Sequence, residues 1–235
     1  MGELRLMKGN EALAEASIRA GMDAYFGYPI TPQSEVLEYL TREAYQRTGA
    51  TILQAESEVA SINMLYGAGG AGGRVMTSSS SPGISLMQEG ISYIAGSQIP
   101  CLIVNVNRGG PGLGTIQPSQ GDYFQSVKGG GHGDYRLIVL APATVQEMAD
   151  FVLDGFLLAE KYRNPVLILT DGALGQMMEK VELRDQVDRA ARQIPGWATT
   201  GKTPDRAANV LTSLFIQPEE MEQVNLRLQE KYKVI

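Results

Sequence analysis

The chain has one cysteine and one histidine among its 235 residues, and each scarcity excludes chemistry. A lone thiolate, Cys101, cannot ligate an iron–sulfur cluster or a structural zinc, and it cannot close an internal disulfide. It lies in the apolar run Pro100-Cys101-Leu102-Ile103-Val104, where a buried and inert thiol is expected. His132 sits among glycines, so no poly-histidine metal site exists, and no residue is assigned to a metal. Positive charge is also scarce: 20 Lys and Arg stand against 26 Asp and Glu, a net charge of −6, with no cationic cluster. That balance argues against a nucleic-acid surface. No apolar run approaches membrane-spanning length, and residues 1–6 lack the apolar segment of a signal peptide. A cytoplasmic protein without a membrane partner is expected.

What is present is alternation. Hydrophobic residues make up 43% of the chain, enough for a full core. Strands are predicted at 23–28, 51–55, 74–79, 101–107, 135–141 and 165–170. Helices are predicted at 10–20, 32–47, 57–68, 83–96 and 145–161. Asn10 is read as the cap of the first helix, and Thr144-x-x-Glu147 as a capping box on the last. Strict strand–helix alternation with near-continuous apolar strands gives an α/β fold: a doubly wound, mostly parallel six-stranded sheet covered on both faces. Residues 1–178 are read as one domain. Residues 179–235 read as a surface linker and a charged helix at 218–232, leading to a second domain absent from this chain. With little apolar area, that helix is expected to be mobile or docked on a neighbouring molecule.

Several motifs carry chemistry. Residues 24–35 (Ala-Tyr-Phe-Gly-Tyr-Pro-Ile-Thr-Pro-Gln-Ser-Glu) read as a strand that stops at Pro29 and turns into a helix. Thr31 is placed to cap that helix, with Pro32 as its first residue. Open α/β sheets bind ligands at such carboxyl-end corners. Gly67-Ala68-Gly69-Gly70-Ala71-Gly72 matches the dinucleotide fingerprint formally, but it follows a helix and precedes a strand, so it is read as a permissive helix end. In Gln54-Ala55-Glu56-Ser57-Glu58, Ser57 can cap a helix and Glu58 can serve as a dipole-favoured first-turn acid; alternatively Glu58 is a carboxylate at the ligand edge. The serines of Thr77-Ser78-Ser79-Ser80-Ser81 can cap a helix or bind a polar ligand. Arg108 ends the fourth predicted strand and could clamp a carboxylate with two N–H groups. It opens a glycine-rich stretch to residue 133, too long to be an idle loop.

Together, Tyr28–Thr31, Glu56–Glu58, Arg108-Gly-Gly-Pro-Gly-Leu-Gly114, Gln117-Pro-Ser-Gln-Gly-Asp122 and Gly129-Gly-Gly-His-Gly-Asp134 resemble the alpha subunit of 2-oxoacid:ferredoxin oxidoreductases. These belong to the thiamine diphosphate superfamily. The likeness is greatest to the branched-chain 2-oxoisovalerate branch, with 2-oxoglutarate enzymes next. The resemblance implies a thiamine diphosphate-binding fold of the pyrimidine-domain type. In it Tyr28, Pro29, Ile30 and Glu58 would bind the cofactor. Glu58 would hydrogen-bond its aminopyrimidine, Thr31 would lie beside the reacting carbonyl, and Arg108 would hold the substrate carboxylate. A 2-oxoacid would be oxidatively decarboxylated, coenzyme A would take the acyl group, and ferredoxin would take the electrons.

Two features of the family are missing. No Gly-Asp-Gly…Asn diphosphate signature is present; Thr170-Asp171-Gly172 comes nearest. The cofactor would therefore be shared with a beta subunit that holds the diphosphate and Mg2+. Iron–sulfur clusters would lie on a partner subunit, since Cys101 stands alone. Two alternatives remain at this stage: a non-catalytic interaction or regulatory domain, and a complete thiamine-dependent decarboxylase or transketolase-like enzyme.

Overall fold

Along strand β5 (Cys101–Asn107) successive side chains fall into two different cores. Leu102, Val104 and Val106 enter one, while Cys101 and Ile103 enter the other. The same division runs through β2 (Ala24–Gly27), where Tyr25 faces one side and Ala24 and Phe26 the other. A strand alternates its side chains, so a sheet buried on both faces must be apolar at every position. The computed structural model describes residues 2–235. Its main sheet adds β3 (Thr51–Gln54), β4 (Val75–Ser79), β6 (Ile138–Leu140) and β7 (Pro165–Asp171), and runs in the order β3-β2-β4-β5-β7-β6. Every pairing in it is parallel.

Helices α1 (Gly9–Arg19), α2 (Ser34–Thr48) and α6 (Val145–Tyr162) cover one face through Leu13, Ile18, Val36, Leu40, Val152 and Phe156. Helices α3 (Glu58–Gly70) and α4 (Ser81–Gly96) cover the other through Ile62, Leu65, Ile84, Met87 and Ile91. The helix after β2 and the helix after the adjacent β4 thus leave on opposite faces. Their strand ends form the crevice where open α/β sheets take ligands. Half of the predicted capping box is made: Thr144 Oγ1 accepts from the Glu147 amide, while the Glu147 carboxylate reaches one residue past the cap and accepts from the Ala143 amide.

The remaining elements are α5 (Tyr123–Val127), α7 (Gly172–Gln176), α8 (Pro218–Val234) and two strands outside the sheet. Strand β1 (Glu3–Lys8) pairs antiparallel with β8 (Met178–Leu183). The expected boundary at residue 179 therefore falls inside a strand. Beyond it, residues 184–217 run over the surface with one short 3-10 turn, Arg189–Ala191. Helix α8 corrects another expectation, because it lies against its own domain. Val224 and Leu228 are buried, and Lys231 Nζ donates to the Arg163 carbonyl at 3.1 Å. Burial pushes the Lys231 pKa down to about 8. Among the described residues no helix is long and apolar enough to cross a membrane.

Candidate functional site

Four strand ends converge on the crevice between β2 and β4. Strand β2 delivers Tyr28, Pro29, Ile30 and Thr31; β3 delivers Glu56, Ser57 and Glu58; β4 delivers Ser79 and Ser80; β5 delivers Arg108. All strands are parallel, so all these residues lie at one edge of the sheet. Cys101 sits at the opposite end of β5, fully buried, where desolvation pushes its thiol pKa up; it is remote from the edge.

The cap expected of Ser57 is present in the geometry, and Glu58 follows it. Ser57 caps α3, its hydroxyl accepting from the Ala60 amide at 3.2 Å. Glu58 is the first residue of that helix, yet it is only 6% exposed. A Cβ added at Gly83 would fall 2.6 Å from Glu58 Oε1 and nearer still to Ser79 Oγ. The bare backbone at the start of α4 thus lets the carboxylate and Ser79 approach closely. Among the described residues no hydrogen bond or ion pair reaches the Glu58 carboxylate. At the same edge of the sheet further buried polar atoms lack partners: Ser79 Oγ, Ser80 Oγ, Asn107 Nδ2 and Arg108 Nε. Buried polar groups are ordinarily satisfied, so a cluster of exceptions marks a place for a polar ligand.

Thr31 and Arg108 are brought into direct contact. Arg108 is buried, and its NH1 donates to the Thr31 carbonyl at 3.0 Å. Its NH2 donates to the Leu113 carbonyl at 3.2 Å, within the glycine-rich loop that follows. A guanidinium has five N–H groups, so three remain for a ligand, including the unpartnered Nε. Ser81 Oγ links this group to α4, accepting from the Arg108 amide at 3.0 Å and donating to Asn107 Oδ1 at 3.0 Å.

The corner itself corrects the capping assignments. Helix α2 begins at Ser34 with Gln33 as its N-cap residue, so neither Thr31 nor Pro32 belongs to it. The Thr31 carbonyl is committed to Arg108 and the Pro32 carbonyl to Asn10, which keeps both out of the helix ladder. Asn10 lies inside α1, with Lys8 as the cap residue. Gln33, fully buried, was not foreseen as a site residue. Its Nε2 donates to the Tyr28 carbonyl at 3.2 Å, and its Oε1 accepts from Ser78 Oγ at 2.6 Å. Ser78 Oγ, its own proton given to Gln33, accepts from the Tyr25 hydroxyl at 2.7 Å, and burial pushes that phenol up to about 12. These links tie the corner to β2 and β4 across the crevice. A recess of about 440 Å3 opens outside the corner, lined by Thr31, Pro32, Glu35, Ile116, Pro118 and Gln176. Recesses of about 750 and 730 Å3 lie away from this edge, beside α8.

Known proteins resemble this chain over most of its length. A family model described as pyruvate flavodoxin/ferredoxin oxidoreductase, thiamine diphosphate-binding, matches residues 15–233. The chain is 53% identical over 228 residues to the ketoisovalerate oxidoreductase subunit VorB of Methanothermobacter thermautotrophicus, covering 97% of this chain and 64% of that relative. It is 44% identical over 194 residues to the 2-oxoglutarate synthase subunit KorA of Methanocaldococcus jannaschii, covering 82% and 52% respectively. The 2-oxoglutarate:ferredoxin oxidoreductase of Magnetococcus marinus, solved with 2-oxoglutarate, coenzyme A and succinyl-CoA bound, superposes with a TM-score of 0.83 at 31% identity. That match covers 98% of this chain and 44% of the solved one. The chain thus spans a little under two thirds of the ketoisovalerate subunit's length and about half of the 2-oxoglutarate subunit's.

Proposed function

The chain belongs to the thiamine diphosphate-binding family of pyruvate flavodoxin/ferredoxin oxidoreductases, and on that premise we propose that it is the subunit of a 2-oxoacid:ferredoxin oxidoreductase that holds the pyrimidine end of the cofactor. The residues present fit such a group. Glu58 is a buried carboxylate without a protein partner, in a crevice whose hydroxyl, amide and guanidinium groups are also unpartnered. That observation carries the reading, since a buried carboxylate is ordinarily paired. When bound, the cofactor supplies a carbon that adds to the 2-oxo group and accepts the electron pair released with carbon dioxide.

The chain's own residues then have separable tasks. Glu58 holds a proton between its carboxylate and a ring nitrogen of the aminopyrimidine, and Tyr28, Pro29 and Ile30 frame that ring. Arg108 offers its remaining N–H groups to the substrate carboxylate, and Thr31 stands beside the 2-oxo group. The glycine-rich loop over Arg108 limits the access of water. By this reading the partners are a beta subunit holding the diphosphate and Mg2+, and an iron–sulfur subunit or ferredoxin taking the electrons. Coenzyme A takes the acyl group, and the assembly works in the cytoplasm. The greater identity to the ketoisovalerate subunit puts branched-chain 2-oxoacids first in substrate trials.

The test is reconstitution. Mixing the chain with a beta subunit and an iron–sulfur partner should give reduction of ferredoxin that depends on a 2-oxoacid and coenzyme A. The isolated chain should bind thiamine diphosphate weakly or not at all in calorimetry with magnesium present. Micromolar binding by the chain alone, or a reconstituted complex that never turns over, would overturn the shared-site reading.

A further inference from the structure

We infer that Asn10 is a positioning residue, fixing the Thr31–Pro32 corner from the far side of the fold; this rests on the reading above that the corner faces the 2-oxoacid. Asn10 is fully buried in α1. Its Nδ2 donates to the Pro32 carbonyl at 2.8 Å and to Glu35 Oε2 at 2.8 Å. The carbonyl next before Pro32's, that of Thr31, is held by Arg108. The two successive carbonyls are thus gripped by side chains from α1 and from the end of β5.

The surroundings are built to admit this amide. A Cβ at Gly175 would lie 2.6 Å from Asn10 Oδ1, so α7 approaches the amide with bare backbone. Asn10 Oδ1 itself is buried without a partner. Leaving half of a buried amide unsatisfied is destabilising, so an apolar residue would serve the α1–α2 contact better. Glu35 gains nothing essential from Asn10, because Gln176 Nε2 donates to both its oxygens at 2.8 Å and Lys8 Nζ lies 3.4 Å away. The contact peculiar to Asn10 is the one to the Pro32 carbonyl.

Four variants of the reconstituted enzyme test this. Asn10→Ala removes the donor. The Asn10→Asp, Glu35→Gln double variant exchanges donor and acceptor within that side-chain pair and takes the donor from the Pro32 carbonyl, while Gln176 and Lys8 lose part of their carboxylate partner. Thr31→Val probes the corner directly. Loss of one neutral hydrogen bond should raise the 2-oxoacid KM roughly 3- to 10-fold in both Asn10 variants. The KM for coenzyme A should stay unchanged, and amide exchange at residues 30–34 should quicken while exchange in α1 stays unchanged. Gly175→Ala, by pushing on Asn10, should move the same KM in the same direction. A folded double variant with unchanged 2-oxoacid KM and unchanged exchange would overturn the inference alone, provided Thr31→Val raises that KM. If Thr31→Val leaves it unchanged, the corner does not face the substrate, and both the reading and the inference fall.

Discussion

Glu15, midway along α1, and Glu58, at the start of α3, are both buried carboxylates on helices that cover opposite faces of the sheet, and they are treated in opposite ways. Glu15 is fully buried and receives Arg47 NH1 and NH2 at 2.5 and 2.9 Å, Arg19 Nε at 2.6 Å and the Tyr39 hydroxyl at 3.0 Å. Arg5 NH1 stands 3.7 Å away. Desolvation would raise its pKa, but the hydrogen bonds from Arg47 and Arg19 outweigh that and lower it. Glu58 is nearly as buried, and among the described residues no side chain answers it. Burying a charge is expensive, and the protein compensates it in full where the task is to join β1, α1 and α2. Where the compensation is left out, something from outside is expected to supply it.

Exchanging each carboxylate for its amide should separate the two cases. Glu58→Gln should lower turnover of the reconstituted enzyme about 100- to 10,000-fold, the usual range for a lost acid–base group. Its effect on stability should be no more than about 1 kcal/mol, that of a first-turn acid. Thermal melts and initial rates on the same sample decide this, and a variant that keeps its rate returns Glu58 to a helix-terminus role. Glu15→Gln should do the reverse: breaking a buried pair from one side costs about 3–5 kcal/mol of stability. The rate per folded molecule should be unchanged. The pH dependence follows from the lowered pKa. The Glu15 contribution is complete above the unfolded carboxyl pKa and is lost as pH falls through the folded value. Wild type and Glu15→Gln should therefore converge in urea midpoint on acidification; parallel curves would remove Glu15 from the clamp.

The smallest effect sharpens the contrast at a residue that is partly answered. Arg108 gives two N–H groups to backbone carbonyls and keeps the rest. Arg108→Lys leaves one point charge in place of a planar fork. Loss of one charged hydrogen bond corresponds to a rise in the 2-oxoacid KM of roughly 10- to 100-fold. Steady-state kinetics with the 2-oxoacid varied at saturating coenzyme A would show it, and an unmoved KM would release Arg108 from the substrate.

The sheet was legible because its central strands are mostly apolar on both faces, β5 above all, and alternate with helices. Thr31, Glu58 and Arg108 were legible as lying at one edge because each follows within four residues the carboxyl end of a strand. Asn10 and Gln33 were not, since their partners lie on other elements and the local pattern offered only capping roles. Strand β1 hid for a different reason: Leu4 and Leu6 point outward and are exposed, while Arg5 turns toward buried Glu15. That reversal defeats any reading by polarity. Helix α8 was misjudged because two buried apolar residues and a lysine anchored on a carbonyl suffice to seat it, and its composition shows mostly charge.

The pairing of β1 with β8 has a consequence for the newborn chain. Lys8 faces Met178, so the first strand has no strand partner until just over three quarters of this sequence has been synthesised. At ribosomal speeds that is a wait of roughly ten to thirty-five seconds. Over the same interval Asn10 lacks the glycine backbone of α7 against which it rests. The corner that carries Thr31 is therefore among the last parts of this fold to set, and a nascent chain holds no finished site with which to engage a ligand or a partner early. A ribosome stalled before β8 emerges should display a sheet already protected from protease, with residues 3–8 and the corner still open to it.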